Sequence, residues 1–375
     1  MTITLSIPES LKPEDGRFGS GPSKIRPEQI AALDAGATTL LGTSHRQAPV
    51  KQLVASIREG LREFFHLPEG YEVALGNGGA SAFWEIACAS LITRRAAFGT
   101  YGSFSAKFAA SAANAPFLED PVLFPGEPGT YRLPELTEGV DTYCWAHNET
   151  STGVAAPIRR VAGSREAGAL TVIDGTSAAG ALPVDISQTD VYYFSPQKAF
   201  GADGGLWVAI LSPEAIDRAA GVESSAHLEG AHRWVPPFLS LTTALNNSRK
   251  DQTLATLIMM ENQIRWLNNN GGLAWATTRC AKSASILYSW AERSEYAAPF
   301  VVDADARSNA VVTIDLDERV QASQVLSILR ENGIVDAAGY RKLGRNQLRV
   351  GVFPSVEPAD VMAFTKCVDY VVEHL

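Results

Sequence analysis

The chain has 375 residues, room for roughly two or three domains and for a core that needs no disulfide or metal staple. Hydrophobic residues make up 46% and charged residues 19%, which is the balance of a globular enzyme and not of a disordered or fibrous chain. A net charge of −9 argues against nucleic acid as the main partner, although a few arginines in a cleft can still gather a small anion.

Cys88, Cys144, Cys280 and Cys367 lie far apart with no C-x-x-C pair, so neither a zinc site nor a disulfide framework is expected, and the setting is expected to be reducing and cytoplasmic. The opening MTITLSIPES has no basic region ahead of an apolar run, and no secretory signal is expected. No stretch of about 18 uncharged apolar residues suggests a membrane span. His66, His227, His232 and His374 show no ligand spacing, so no metal is expected.

Residues 1–16 read as an extended arm rich in Pro and Gly. Val50, Leu53, Val54, Ile57, Leu61 and Phe64 recur at helical spacing and predict a helix over 50–65. Short apolar runs then alternate with helical stretches. EVAL (72–75) predicts a strand, ASAFWEIACASLI (80–92) a helix and AAFGTY (96–101) another strand. TYCWAH (142–147), LTVID (170–174), VYYFS (191–195) and GLWVAIL (205–211) follow as strands, several of them apolar on both faces as buried parallel strands are. The expected fold class is α/β, with a mostly parallel central sheet in a large domain over 17–262. Beyond it come a helix over about 252–268, the turn Asn270-Gly271-Gly272, a helix to about 292, the strand VVTIDL (311–316), a helix near 321–332, the strand-like NQLRVGVF (346–353) and a terminal helix from about 358. This second pattern predicts a smaller α+β C-terminal domain over 263–375.

Two strands end in chemistry. LTVID closes on Asp174 ahead of GTSAAG, and VYYFS runs into Pro196-Gln197-Lys198, both at the carboxyl strand ends where open α/β sheets bind ligands. Pyridoxal phosphate needs a lysine amine for covalent attachment and an acid to keep its pyridine nitrogen protonated. A lone loop lysine is ordinarily a solvated charge and a lone aspartate after a strand ordinarily a cap. Lys198, however, lies between VYYF and AFGADGGLW, where burial would be costly to an unpaired cation and would depress its pKa, as imine chemistry requires. GNGGASAF (76–83) follows a strand and opens a helix, so Gly78 and Gly79 bring free amides toward an anion and Ser81 adds a hydroxyl. Glycines after a strand also simply make turns. Phe104 in TYGSFSAKF has two readings, a ring stacked on a flat cofactor or a core aromatic; Asn148 and Thr150 in NET either hydrogen-bond a cofactor or cap a turn.

Taken together, GPSKIRPEQ, GTSHRQAPVK, GNGGASAFW, WAHNETSTGV, VIDGTSAAGALPVD, YYFSPQKAF and GYRKLGRNQLRVGVFP resemble the phosphoserine aminotransferases in their actinobacterial form, from about residue 14 to the C-terminus. The resemblance implies the pyridoxal-phosphate fold of the aspartate-aminotransferase type (fold type I), in its class V branch, working as a homodimer on small amino and keto acids. It makes Lys198 the Schiff-base lysine and Asp174 the partner of the pyridine nitrogen. It makes Gly79, Ala80 and Ser81 the phosphate cradle, with Gln197 also on the phosphate, Phe104 in the place of a stacking tryptophan and Thr150 touching the cofactor. His45 and Arg46 match residues that bind substrate phosphate across the dimer interface, Arg341 falls near another such position, and Arg349 matches the clamp on the substrate α-carboxylate. The family's Asn-Thr-Pro element, which reaches the partner's cofactor phosphate, has no clean counterpart in ALNNSRKDQTLATL (244–257), where Asn247, Ser248 or Thr253 could stand in.

The reaction so implied moves an amino group from L-glutamate to 3-phosphohydroxypyruvate, giving O-phospho-L-serine and 2-oxoglutarate by ping-pong steps, as in serine biosynthesis. Whether phosphohydroxythreonine, on the route to vitamin B6, is also a substrate stays open. Arg349 suits a bidentate grip on a carboxylate, and His45, Arg46 and Arg341 suit a distal anion. His147, inside an apolar run, reads as a core histidine. The rival readings are an alanine–glyoxylate aminotransferase, a cysteine desulfurase, which would need a mobile-loop cysteine, a non-catalytic protein of the same fold, and a nucleotide-binding module, against which GNGGASAF lacks both the P-loop lysine and the dinucleotide fingerprint.

Overall fold

The computed structural model describes residues 5–226, 233, 235–246 and 253–375. Helices α1 (Pro27–Ala35) and α2 (Ala48–Phe65) come first. α2 buries Val50, Val54, Ile57, Leu61, Phe64 and Phe65, the stripe its spacing demands. The chain then runs through β1 (Glu72–Asn77), α3 (Gly79–Ser90), β2 (Ala96–Thr100), α4 (Ser103–Asn114), β3 (Val122–Pro125), β4 (Thr142–Ala146), the hairpin strands β5 (Asn148–Glu149) and β6 (Val154–Ala155), β7 (Leu170–Asp174), β8 (Val191–Phe194) and β9 (Leu206–Leu211). Helices α5 (Pro213–Ser225) and α6 (Leu241–Leu245) close this part, α5 being capped by the Ser212 hydroxyl, which accepts from Ala215 N at 3.1 Å.

The main sheet has the order β1-β9-β8-β7-β4-β2-β3. β8, β7, β4, β2 and β3 pair in parallel, and β9 runs against both its neighbours, β1 and β8. β4, β7, β8 and β9 are buried at every position. Their period-two alternation sends side chains into two different cores. Tyr192 and Phe194 pack toward α2, while Val191 and Tyr193 pack with α3, α4 and α5. That is why these strands carry no polar face to betray their period.

Helix α7 (Leu254–Asn269) packs on α1 and α2, and α8 (Gly272–Arg293) leads into β10 (Ala297–Pro299), β11 (Val311–Leu316), α9 (Ala322–Glu331), β12 (Gln347–Gly351) and α10 (Pro358–Glu373). The antiparallel sheet β10-β11-β12 and helices α8, α9 and α10 enclose a second core around Val312, Ile314, Leu348 and Val350. α8 joins the two cores: Leu273 and Ala276 belong to the first, Ala284 and Leu287 to the second. The N-terminal arm docks on the second core, with Ile7 and Phe18 buried in it and Val335 N donating to Gly16 O at 2.8 Å. Among the described residues no helix is long and apolar enough to cross a membrane.

Candidate active site

The carboxyl ends of β1, β2, β4, β7 and β8 share one edge of the main sheet, and the segments leaving that edge bring the site together. Lys198 follows β8 and is buried, at 8% exposure. Its Nζ donates to Ser20 O at 2.6 Å. The segment 20–23 clasps the lysine from outside: Ser23 N donates to Gln197 O at 2.8 Å, and the Ser23 hydroxyl donates to Lys198 O. Gly21 lies directly on the lysine, and a Cβ there would collide with Nζ, Cε and Cδ; its φ of +135° is also a region that side chains avoid. Burial first, and then the nearby Arg349 guanidinium, push the Lys198 pKa down to about 8, while Asp174 and Glu149 pull the other way.

Asp174 ends β7 and is buried. Thr176 N donates to its Oδ1 at 2.8 Å, and the Tyr193 hydroxyl, which accepts from Trp84 Nε1 at 2.9 Å, also hydrogen-bonds it. Burial nevertheless raises the carboxyl pKa, so a cation set against it would be welcome. Across the sheet, Gly78 and Gly79 (φ +109° and +68°) turn the chain from β1 into α3, held by Gly78 N donating to Gly205 O at 2.8 Å. The space over Gly79 is open, Ser195 Oγ being the one atom a Cβ would approach, at 3.8 Å, and the amides of Gly79, Ala80 and Ser81, as the first of α3, have no partner within the helix. The amide oxygens of Gln197 and Asn148 are buried with no partner among the described residues. Orphaned polar atoms of this kind signal a polar ligand. A lysine, a buried carboxylate, an anion cradle and orphaned amides fit a flat, phosphorylated aldehyde such as pyridoxal phosphate.

Phe104 starts α4 and is partly buried, its ring 5.9 Å from that of Tyr340 and under Lys107 Nζ at 5.0 Å. The Thr150 hydroxyl donates to Ser177 Oγ at 2.7 Å, and Asn148 Nδ2 donates to the same oxygen at 2.8 Å. Arg349 on β12 donates from Nη1 to Thr150 O at 3.2 Å, lies 5.4 Å from the Tyr340 ring centre and keeps its Nε buried without a partner among the described residues. The unused Nε edge leaves free a planar fork of the kind that suits a carboxylate.

Arg349 lines a cleft of about 600 Å³ together with Ser20, Gly21, Lys107, Tyr340, Arg341 and Lys342. Among the described residues, none of these four cations has a carboxylate within ion-pair distance, and the Asp336 carboxylate in the same wall is bound to Arg330 at 3.2 Å. Lys107, Arg341 and Lys342 are exposed and solvated, and with Arg349 they give the cleft an electropositive wall that favours an entering anion. His45 and Arg46 sit in the turn before α2, outside that cleft, and His45 Nε2 is buried without a partner among the described residues. Asn247 and Ser248 lie outside the described residues; Thr253 is exposed ahead of α7 and makes no side-chain cap. His147 is a core histidine, its Nδ1 3.1 Å from the Tyr192 hydroxyl and its pKa pushed down to about 3 by burial.

Sequence reasoning missed Lys107, Lys342, Tyr340, Glu149 and the contact of Ser20 and Gly21 with Lys198. GPSKIRPEQ and NET held part of the signal, since a Gly-Pro turn and a strand-end acid each mark a tight backbone approach.

A family model for aminotransferase class-V matches residues 18–343. A phosphoserine aminotransferase of Rhodococcus jostii (strain RHA1) is 55% identical over 380 aligned residues, covering 100% of this chain and 100% of the relative. The crystal structure of a phosphoserine aminotransferase from Cytophaga hutchinsonii superposes with a TM-score of 0.84 at 20% identity, over 95% of this chain and 99% of the other. A phosphoserine aminotransferase from Bacillus circulans gives 0.83 at 20% identity, over 96% and 99%. These two likenesses establish the fold.

Proposed function

The chain belongs to the class-V aminotransferases, and we propose that it moves an amino group between L-glutamate and 3-phosphohydroxypyruvate, yielding O-phospho-L-serine and 2-oxoglutarate. One observation carries the reading: a buried amine of lowered pKa beside a cleft lined by four cations without ion-pair partners among the described residues. Both amino-acid substrates are anionic at two ends, and this cleft offers cations for both.

Pyridoxal phosphate, when bound, supplies an aldehyde that takes up the amino group and a ring that draws electrons from the substrate α-carbon. Lys198 would be its covalent anchor, and the amides of Gly79, Ala80 and Ser81 with the Gln197 side chain would hold its phosphate. Asp174 would hold the protonated pyridine nitrogen, a cation that would relieve the burial cost of the carboxylate. Phe104 would cover the cofactor ring and Thr150 would hydrogen-bond the cofactor. A Lys198 amine with pKa about 8 can both accept and return a proton near neutral pH, and Ser20 O at 2.6 Å gives the free amine a defined position for moving the α-proton. Arg349 orients the substrate through its α-carboxylate. Lys107, Arg341 and Lys342 meet the distal phosphate or γ-carboxylate. His45 and Arg46 reach that same group from the second copy in a homodimer; the orphaned His45 Nε2 supports this.

Burial raises the pKa of the Cys88, Cys144, Cys280 and Cys367 thiols, which disfavours a desulfurase. All four cysteines are free and buried, in keeping with a cytoplasmic setting. The test is turnover of glutamate with phosphohydroxypyruvate, with and without added pyridoxal phosphate, against alanine with glyoxylate. The wild-type chain should strongly prefer the first pair, and Lys198→Ala should be inactive with no borohydride-fixed cofactor. Preference for alanine and glyoxylate, or an active Lys198→Ala chain, refutes the reading.

A further inference from the structure

Glu149 is fully buried, at 0% exposure, and its charge is met by hydrogen-bond donors. Oε2 accepts from Phe104 N at 3.1 Å, Ser105 N at 2.9 Å and Ser105 Oγ at 2.9 Å. Oε1 accepts from Ser151 N at 3.2 Å, Ser151 Oγ at 2.7 Å and, at 3.3 Å, Phe104 N. The hydroxyls can rotate to accept instead, but the backbone amides can only donate. Donors therefore face both oxygens of the carboxylate.

The amides of Phe104 and Ser105 follow that of Ser103 as the free donors of the first turn of α4, whose own N-cap, Gly102, has no side chain. A Cβ on Gly102 would strike the Glu149 carboxylate, so this helix start is shaped to be capped from the β5–β6 hairpin. Ser151 adds to the cap by accepting from Ser103 N at 3.0 Å. The far side of the same hairpin faces the other substrate-binding element. Thr150 O accepts from Arg349 Nη1 at 3.2 Å, Thr152 O accepts from the Thr313 hydroxyl at 2.9 Å, and Thr313 pairs with Arg349 across β11 and β12.

We propose that Glu149 is a positioning residue that locks the start of α4 to the hairpin tip, so that the Phe104 ring and the Arg349 guanidinium keep one spacing over the reacting centre. The inference rests on the reading that Phe104 covers the cofactor ring. A carboxylate serving as a cap alone would stabilise the fold without affecting the cofactor.

The experiment is a double-variant cycle on the full chain, Glu149→Gln and Phe104→Ala, singly and together. Its readouts are the Kd of pyridoxal phosphate for the apoprotein, the visible circular dichroism of the bound cofactor and the KM for glutamate. Phe104→Ala is expected to weaken binding roughly three- to tenfold and to diminish the dichroism, the scale of a lost aromatic stack. Glu149→Gln should reproduce much of that loss and raise the KM for glutamate, because whichever way the amide turns it points a donor at a donor. The double variant should bind the cofactor no worse than Phe104→Ala alone, as for residues acting through one another. Additive losses, or a lowered melting temperature with unchanged dichroism, overturn the positioning role while leaving the ring stack intact. No effect of Phe104→Ala on either cofactor signal refutes the stack, and the positioning role with it. If Glu149→Gln does not fold, Ser151→Ala is read in the same cycle, where a smaller loss of dichroism, absent in the Phe104→Ala background, is expected and additivity again refutes.

Discussion

Lys198 must be neutral to attack an aldehyde, so the pH at which the apoprotein captures its cofactor reports directly on the lysine's surroundings. Burial and Arg349 lower its pKa from 10.5 to about 8. At pH 7 such an amine is roughly 10% unprotonated, whereas one at the ordinary value would be roughly 0.03% unprotonated. The sign follows from the depression: the folded chain sheds this proton earlier than an exposed lysine does, so reactivity appears at lower pH. Covalent capture of pyridoxal phosphate, followed by rapid-mixing absorbance, should quicken about tenfold from pH 6 to 7, about fivefold from 7 to 8 and no more than about twofold beyond. Arg349→Met removes the second-largest cause and should move the plateau to higher pH. A capture rate that keeps climbing tenfold per unit past pH 9 would refute the argument, because it would put the amine in an aqueous setting.

Arg349→Ala should weaken both glutamate and phosphoserine by about 2–4 kcal/mol, as for a buried charge-assisted pair cut in half, seen as raised KM for both substrates; an unchanged KM would assign the α-carboxylate to another cation. Gly21→Ala should force the 20–23 segment off Lys198 and impose a positive φ on a side chain, slowing cofactor capture and lowering the melting temperature of the apoprotein; an unaltered capture rate would show that this segment does not set the lysine's position.

Local order carried the sequence reading where one segment sufficed. β4, β7 and β8 were legible as unbroken apolar runs, Asp174 and Lys198 as their endings, and Gly78-Gly79 as a strand-to-helix turn, because each signal depends on neighbours in the chain. The α2 stripe was legible for the same reason. Arg349, Arg341, His45 and Arg46 entered through the family resemblance, since an arginine on a short strand or in a loop is usually no more than a surface charge.

Tertiary structure alone decided the rest. β9 looks like any other buried strand, and only its pairing shows that it runs against β1 and β8. The contact of Ser20 with Lys198 spans 178 positions, and the cap that Glu149 gives to Phe104 spans 45. Lys107 and Lys342 share a cleft that neither one's neighbours foretell. Periodicity and turn chemistry report which face of an element is buried and where it ends. Which elements then meet, and so which lysine is desolvated and which arginines are left without a counter-ion, depends on closing long loops, and that information belongs to the packed chain and not to any window of it.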